Sequence, residues 1–165
     1  MNKIEVLKSK RDGLKVKEDI QRFAKEGWES ISEDDIQRLK WYGLFLRNPT
    51  PGYFMQRVRI PNGICVSHQV KALCSIAKEF GNGIIDITTR QQVQLRHLRI
   101  EDVPQIFKIQ EEVGLTSSQT GMDNVRNIMG CPVAGLSPKE KVDAYFQVKA
   151  LTEHITGNPE FSNLP

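Results

Sequence analysis

Three separated segments set arginines in or beside short β-branched stretches: Phe54-Met-Gln-Arg-Val-Arg-Ile-Pro-Asn-Gly63, Thr88-Thr-Arg-Gln-Gln-Val-Gln-Leu-Arg96 and Gly121-Met-Asp-Asn-Val-Arg-Asn127. Such stretches read as buried strands, and a guanidinium taken out of water without a partner costs several kcal/mol at least. The planar, forked arginine head group suits carboxylates and oxyanions. Three such segments therefore ask for a shared anionic partner. Read singly, each has a plainer explanation. Arg57 and Arg59 can be charges that keep an edge strand solvated, and Arg90 can be a donor to turn carbonyls. Gln94 and Arg96 can be the outer face of a two-sided sheet, and Arg126 an ordinary loop charge.

Other chemistry-bearing residues converge less. His68, His97 and His154 are scattered and share no ligand spacing. Cys65, Cys74 and Cys131 are odd in number and lack CxxC spacing, which indicates neither a disulfide framework nor a self-contained zinc or iron–sulfur site. Cys65 and Cys74 read as small buried hydrophobes, and Cys131, in a glycine-rich loop, has no assignment. Any metal cofactor would need ligands from outside this chain.

The elements that must position the arginines follow from periodicity. Residues up to about Asn48 read as helical. One helix is expected near Glu18 to Glu26, ended by Gly27, and another is capped by Ser32, carries Ile36, Leu39 and Trp41 inward, and stops near Gly43. Asn48-Pro-Thr-Pro-Gly52 is a turn-rich boundary. From Tyr53 to Ile60 the pattern alternates, with Met55, Arg57 and Arg59 on one face and Phe54, Val58 and Ile60 on the other. Ser67 is expected to cap a helix with Val70, Leu73, Cys74, Ala77 and Phe80 as its apolar stripe, closed by Gly81 and Gly83.

Ile84 to Ile87 reads as a short buried strand, and Thr88-Thr-Arg-Gln91 as a tight βα-type corner. Gln92, Gln94 and Arg96 then alternate with Val93, Leu95 and His97. Asp102 caps a second amphipathic helix with Pro104 in its first turn, Gly114 ends it, and Leu115 to Ser118 could be a last strand. The order β-α-β-β-α-β is a ferredoxin-like split βαβ with both helices on one sheet face. The other face, carrying Arg57, Arg59, Gln94 and Arg96, is built for a ligand or another domain. A helix is expected from Pro138 to about Thr156.

The fold class is thus α+β: a helical extension over 1–48, a ferredoxin-like half-domain over 49–118, and the opening of a further domain over 119–165. The chain has 39% hydrophobic and 26% charged residues and no apolar run near the length of a membrane span. Its start mixes acids with bases and has neither a signal core nor transit-peptide character, so a cytoplasmic location is expected. The formal charge of +3 biases the surface towards acidic partners without implying nucleic acid.

Taken together and in this order, the three arginine segments resemble the ferredoxin-dependent nitrite and sulfite reductases, from about Tyr42 to Pro165. The resemblance implies sirohaem bridged to a [4Fe–4S] cluster, six-electron reduction of an oxyanion, and reduced ferredoxin as an acidic donor. Sirohaem carries eight carboxylates, which require many charge-assisted donors. By the same resemblance Arg90, Gln94 and Arg96 would hold those carboxylates, while Arg57 and Arg126 would be catalytic, binding the substrate anion. Asn124, Asn127 and Gly130-Cys-Pro-Val-Ala-Gly135 would shape the macrocycle's edge, and the role of Arg59, where the family has Arg or Lys, is open.

Gln119-Thr-Gly-Met-Asp-Asn-Val-Arg-Asn127 and the following Gly-Cys-Pro-Val-Ala-Gly are similar to the assimilatory nitrite-reducing branch, in a bacterial cytosolic form. The family's active-site lysines and four cluster cysteines belong to later segments. This chain is therefore expected to be an N-terminal portion of a monomeric enzyme, with no cluster and no turnover alone. Lys40, Lys71 and Lys78 are candidates for meeting ferredoxin, which salt should weaken. The alternatives are a sulfite-reducing enzyme and a non-catalytic module binding RNA on its sheet; the latter calls for exposed stacking aromatics, where this face offers arginine and glutamine.

Overall fold

A computed structural model describes residues 2–165. The chain opens with three short helices, α1 (Lys3–Lys10), α2 (Ile20–Glu26) and α3 (Glu33–Leu39). The helix expected from Glu18 is split, because a 3₁₀ segment, Gly13–Asp19, runs into α2. Gly27 ends α2 at φ 83°, as its spacing predicted. Ser32 caps α3 as expected, its Oγ accepting the Asp35 backbone N–H at 3.1 Å.

The segment read as wholly helical up to Asn48 contains a strand, β1 (Leu44–Leu46). It pairs antiparallel with β2 (Tyr53–Val58), Phe45 facing Met55. Three apolar residues are too few to show a period. Next come α4 (Ser67–Glu79), β3 (Ile85–Ile87), β4 (Val93–Arg99), α5 (Val103–Glu112) and, after a long irregular stretch, α6 (Tyr145–Ile155). The sheet order is β1-β2-β4-β3, with β4 antiparallel to both β2 and β3. This is the split βαβ expected.

Five local details differ from the sequence reading. The final strand over 115–118 reduces to one bridge, Thr116 to Arg59, because β1 occupies the neighbouring edge of β2. Val66, not Ser67, is the N-cap of α4, and Gln69 Oε1 accepts the Val66 N–H at 3.1 Å. The Thr88–Gln92 corner joins β3 to β4, so it is a hairpin loop, not a βα turn. His97 leaves the apolar face: at φ 58° it forms a bulge that shifts the register between Phe54 and Gln56, turns Leu98 inward and leaves His97 against Tyr53. Finally, α6 begins at Tyr145 rather than Pro138.

The core lies on the helix-covered face. Val58, Ile60, Leu95 and Leu98 pack with Leu73, Ile76 and Ala77 of α4 and Ile106 of α5. Phe54 and Leu44 carry it on to Ile20, Phe23 and Leu39 of the N-terminal helices, which therefore share the core of the sheet. Gln56, fully buried here, pairs its amide with Gln110 on α5 and also donates to Ser117 Oγ at 3.2 Å. Among the described residues no helix is long and apolar enough to cross a membrane.

Candidate functional site

Cross-strand register builds the opposite face. Arg57 of β2 lies opposite Gln94 of β4, and Gln94 opposite Asp86 of β3, so the three form one row. Arg96, two residues on from Gln94, shares this face, and its Nε donates to Asp86 Oδ2 at 2.5 Å. The sequence reading did not single out Asp86. The strand register places it on this face, and nothing in the sequence spacing ties it to Arg96.

Arg57 is half buried, its Nη1 donating to the Thr120 carbonyl at 3.0 Å and its guanidinium lying 5.0 Å from the centre of the Phe45 ring. Burial, and then the like charges of Arg126 and Arg90, hold that guanidinium below its ordinary value. Arg126 donates to the Met122 carbonyl at 3.2 Å. Among the described residues, none of Arg57, Arg90 and Arg126 forms an ion pair with an acid. The fold therefore gathers three cations without a counter-charge, the arrangement that an anionic ligand would complete.

Arg59 behaves differently. It is 1% exposed, and its fork donates to the carbonyls of Gln119 and Val125 at 2.8 Å, Arg126 at 2.9 Å and Ser118 at 3.4 Å. Burial lowers its guanidinium to about 10, which leaves it charged near neutrality. The face expected to be open is thus crossed beside β2 by the 118–127 loop. Gly121 permits the crossing, since a Cβ there would meet the Lys40 carbonyl at 2.3 Å. Gly43, at φ 69°, is equally constrained by the Thr120 hydroxyl and the Arg57 carbonyl.

The two asparagines of this loop are buried inside it. Asn124 donates to the Gly121 carbonyl at 2.7 Å and accepts from Ser162 Oγ at 2.9 Å, so its amide is spent on the loop and the C-terminal segment. Asn127 donates to the carbonyls of Ile60, Arg90 and Gln91, tying the Arg126 loop to the Arg90 corner, while its Oδ1 has no partner. Lys8 of α1 adds a long-range clamp, its Nζ bonded to Asp123 Oδ2 at 3.0 Å and the Leu164 carbonyl at 2.8 Å.

The Gly130–Gly135 segment is held against the same corner by Gln91, whose amide exchanges two hydrogen bonds with the Gly130 backbone. A cavity of about 580 Å³ opens beside it, lined among others by Asn62, Cys65, Thr88, Gln91 and Cys131. None of its lining side chains is charged, so the surface complementary to an anion is the arginine face rather than this cavity. Of the lysines considered for docking, Lys71 and Lys78 are exposed on α4, and burial pulls Lys40 below its ordinary value. Among the described residues no group of three or more His, Cys, Asp or Glu side chains could hold a metal ion. A polycarboxylate group does fit what is present, namely three unpaired arginines with Gln94 in the same row.

The split βαβ sheet, covered by helices on one face and carrying cations on the other, is that of a nitrite/sulfite reductase ferredoxin-like half domain, whose family model matches residues 47–113. Residues 47–113 thus carry that half domain, and the similarity to ferredoxin–nitrite reductases runs along the whole chain. Over its whole length it is 50% identical to the ferredoxin–nitrite reductases of Leptolyngbya laminosa and Synechococcus elongatus, and 43% identical to the chloroplastic one of Arabidopsis thaliana. It spans about a third of the length of these relatives, 34%, 33% and 30% respectively. The structure of the Mycobacterium tuberculosis NirA protein superposes on 98% of the chain with a TM-score of 0.91 at 31% identity, the match covering 33% of that protein.

Proposed function

We propose that this chain forms the part of a ferredoxin-dependent nitrite reductase that binds the carboxylates of sirohaem and the substrate anion. The observation that carries the reading is the gathering of Arg57, Arg90 and Arg126 without an acidic partner among the described residues. In this reading residues 49–118 are the half-domain, 1–48 support it, and 119–165 bring in the loops facing the cofactor. Arg90, Gln94 and Arg96 hold sirohaem carboxylates, Arg96 while it also pairs with Asp86. Asn124 and Asn127 hold the loop in place from inside.

Bound sirohaem, with its [4Fe–4S] cluster, supplies the one-electron chemistry needed to take nitrite to ammonia, with reduced ferredoxin as donor. The chain's own residues supply charge and position. Arg57 and Arg126 present donors to the nitrite oxygens and offset negative charge as N–O bonds weaken. Arginine remains protonated near neutrality, so both act as fixed cations and protons must come from elsewhere. Arg57 rests on Phe45 and on the Thr120 carbonyl, which limits its motion before the anion arrives.

The test is the full-length protein carrying this sequence, loaded with sirohaem and cluster and supplied with reduced ferredoxin and nitrite. Ammonia is the expected product, and Arg57→Ala or Arg126→Ala should lower kcat/KM by roughly 100-fold or more. Turnover of sulfite in preference to nitrite, or activity indifferent to both substitutions, would overturn the reading.

A further inference from the structure

The Arg57–Arg126 pair poses a physical problem that the proposed function leaves unsolved. Two cations held close repel each other, and Arg126 sits on a loop rather than on the sheet. That loop also contains two non-glycine residues at positive φ, Gln119 at 54° and Met122 at 50°, a conformation that costs free energy and persists only where its surroundings enforce it. Left to itself, the loop would relax and carry Arg126 away from Arg57.

We infer that Arg59 is the positioning residue that prevents this, its buried guanidinium drawing the carbonyls of Ser118, Gln119, Val125 and Arg126 onto the end of β2. The inference rests on the reading of Arg57 and Arg126 as an anion site. Arg59 is bridged to Thr116, and Arg57 lies two residues before it on the same chain, so one rigid segment carries both the anion-binding arginine and the anchor for the loop of its partner. The four carbonyls come from both ends of the loop, residues 118–119 and 125–126, so the grip closes the loop like a drawstring. The Arg126 carbonyl is itself one of the four, which fixes the backbone from which the second anion-binding side chain extends.

A guanidinium suits this four-carbonyl grip better than an ammonium does. A guanidinium holds its donors in a rigid planar fork that can meet carbonyls from two directions at once, while a lysine ammonium is a compact, strongly hydrated point charge. At 1% exposure the guanidinium is withdrawn from bulk water that could replace the lost donors. The open role of this position therefore resolves into holding the site rather than touching the anion. Four protein carbonyls already occupy its terminal nitrogens.

The test compares Arg59→Lys and Arg57→Lys with the wild type in the full-length protein carrying this sequence. Two readouts are used, amide hydrogen exchange over residues 118–127 and the dissociation constant for nitrite. Arg59→Lys should speed exchange of that loop by about tenfold or more, leave the β2 and β4 amides unchanged, and weaken nitrite binding by about tenfold. Arg57→Lys should weaken nitrite binding and, because Arg57 holds only the Thr120 carbonyl of this loop where Arg59 holds four carbonyls, speed loop exchange far less than Arg59→Lys does. Wild-type loop exchange in Arg59→Lys, or a loosened loop with undiminished nitrite affinity, would overturn the inference. Unchanged nitrite affinity in Arg57→Lys would instead overturn the anion-site reading. Should Arg59→Lys fail to fold, the wild type decides: the Arg59 guanidinium protons and the loop amides should exchange through one common opening, and rapid guanidinium exchange beneath a protected loop would contradict the role.

Discussion

The two faces of the sheet are made from the same strands by opposite means. On the helix-covered face, Val58, Ile60, Leu95 and Leu98 meet apolar side chains of α4 and α5, and the polar Gln56 is paired in full with Gln110 and Ser117. On the other face the side chains are cationic, and what meets them is mostly backbone: carbonyls for Arg57, Arg59 and Arg126, with Asp86 serving Arg96 alone. The first face is satisfied within the chain and stabilises the fold. The second is satisfied only in part, and the unsatisfied part is where an anion is wanted.

Substitutions should separate the two. Leu95→Ala, at a fully buried core position, should cost roughly 2–5 kcal/mol in urea unfolding while leaving anion affinity intact in the folded fraction. Gln110→Leu strands the buried Gln56 amide with only Ser117 for company and should cost about 1–3 kcal/mol, part of which Gln56→Leu in the same molecule should recover. Asp86→Asn works in the other direction. By releasing Arg96 it adds a fourth free cation, so it should tighten the binding of a tetracarboxylate in calorimetry while changing stability by no more than about 1 kcal/mol, the partners being 28% and 40% exposed.

The smallest effect concerns Tyr42, packed on Phe107 with its hydroxyl donating to the Leu14 carbonyl at 3.0 Å. Burial, aided by Asp12 and Glu18, pushes its phenol up to about 12. The folded protein keeps this proton after the unfolded chain has lost it. The contribution is therefore fully present below about pH 10 and is lost as pH rises towards 12. Tyr42→Phe should fall less steeply in stability than the wild type across that window, as denaturant melts at each pH would register.

How much of this was legible beforehand follows the same division. Periodicity reveals what a side chain does on its own element, and so the alternation of Phe54, Val58 and Ile60, the inward Leu73 and Ala77 of α4 and the shared face of Arg57, Gln94 and Arg96 could all be read, whereas Val70, expected on the α4 stripe, and Ile87, expected in a buried strand, are exposed. It says nothing about backbone partners far along the chain. The terminal nitrogens of Arg59 are satisfied by carbonyls from residues 59 to 67 positions away, and carbonyls leave no mark in a sequence pattern. The same blindness hid the service of Thr120 to Arg57 and the clamp between Lys8 and Asp123. The bulge at His97 escaped because strict alternation continues straight through it on paper, and β1 because three apolar residues after a helix carry no period.

The most direct test of the central claim, that Arg57, Arg90 and Arg126 form one anion site from which Arg59 is withdrawn, is a titration followed by arginine side-chain NMR. Benzene-1,2,4,5-tetracarboxylate would be added to the protein while the Nε–H signals of all four residues are observed. The signals of Arg57, Arg90 and Arg126 should shift together and saturate with a single dissociation constant, while that of Arg59 stays in place. Shifts that never saturate, that give unrelated constants for the three, or that include Arg59 as a direct partner would contradict the account.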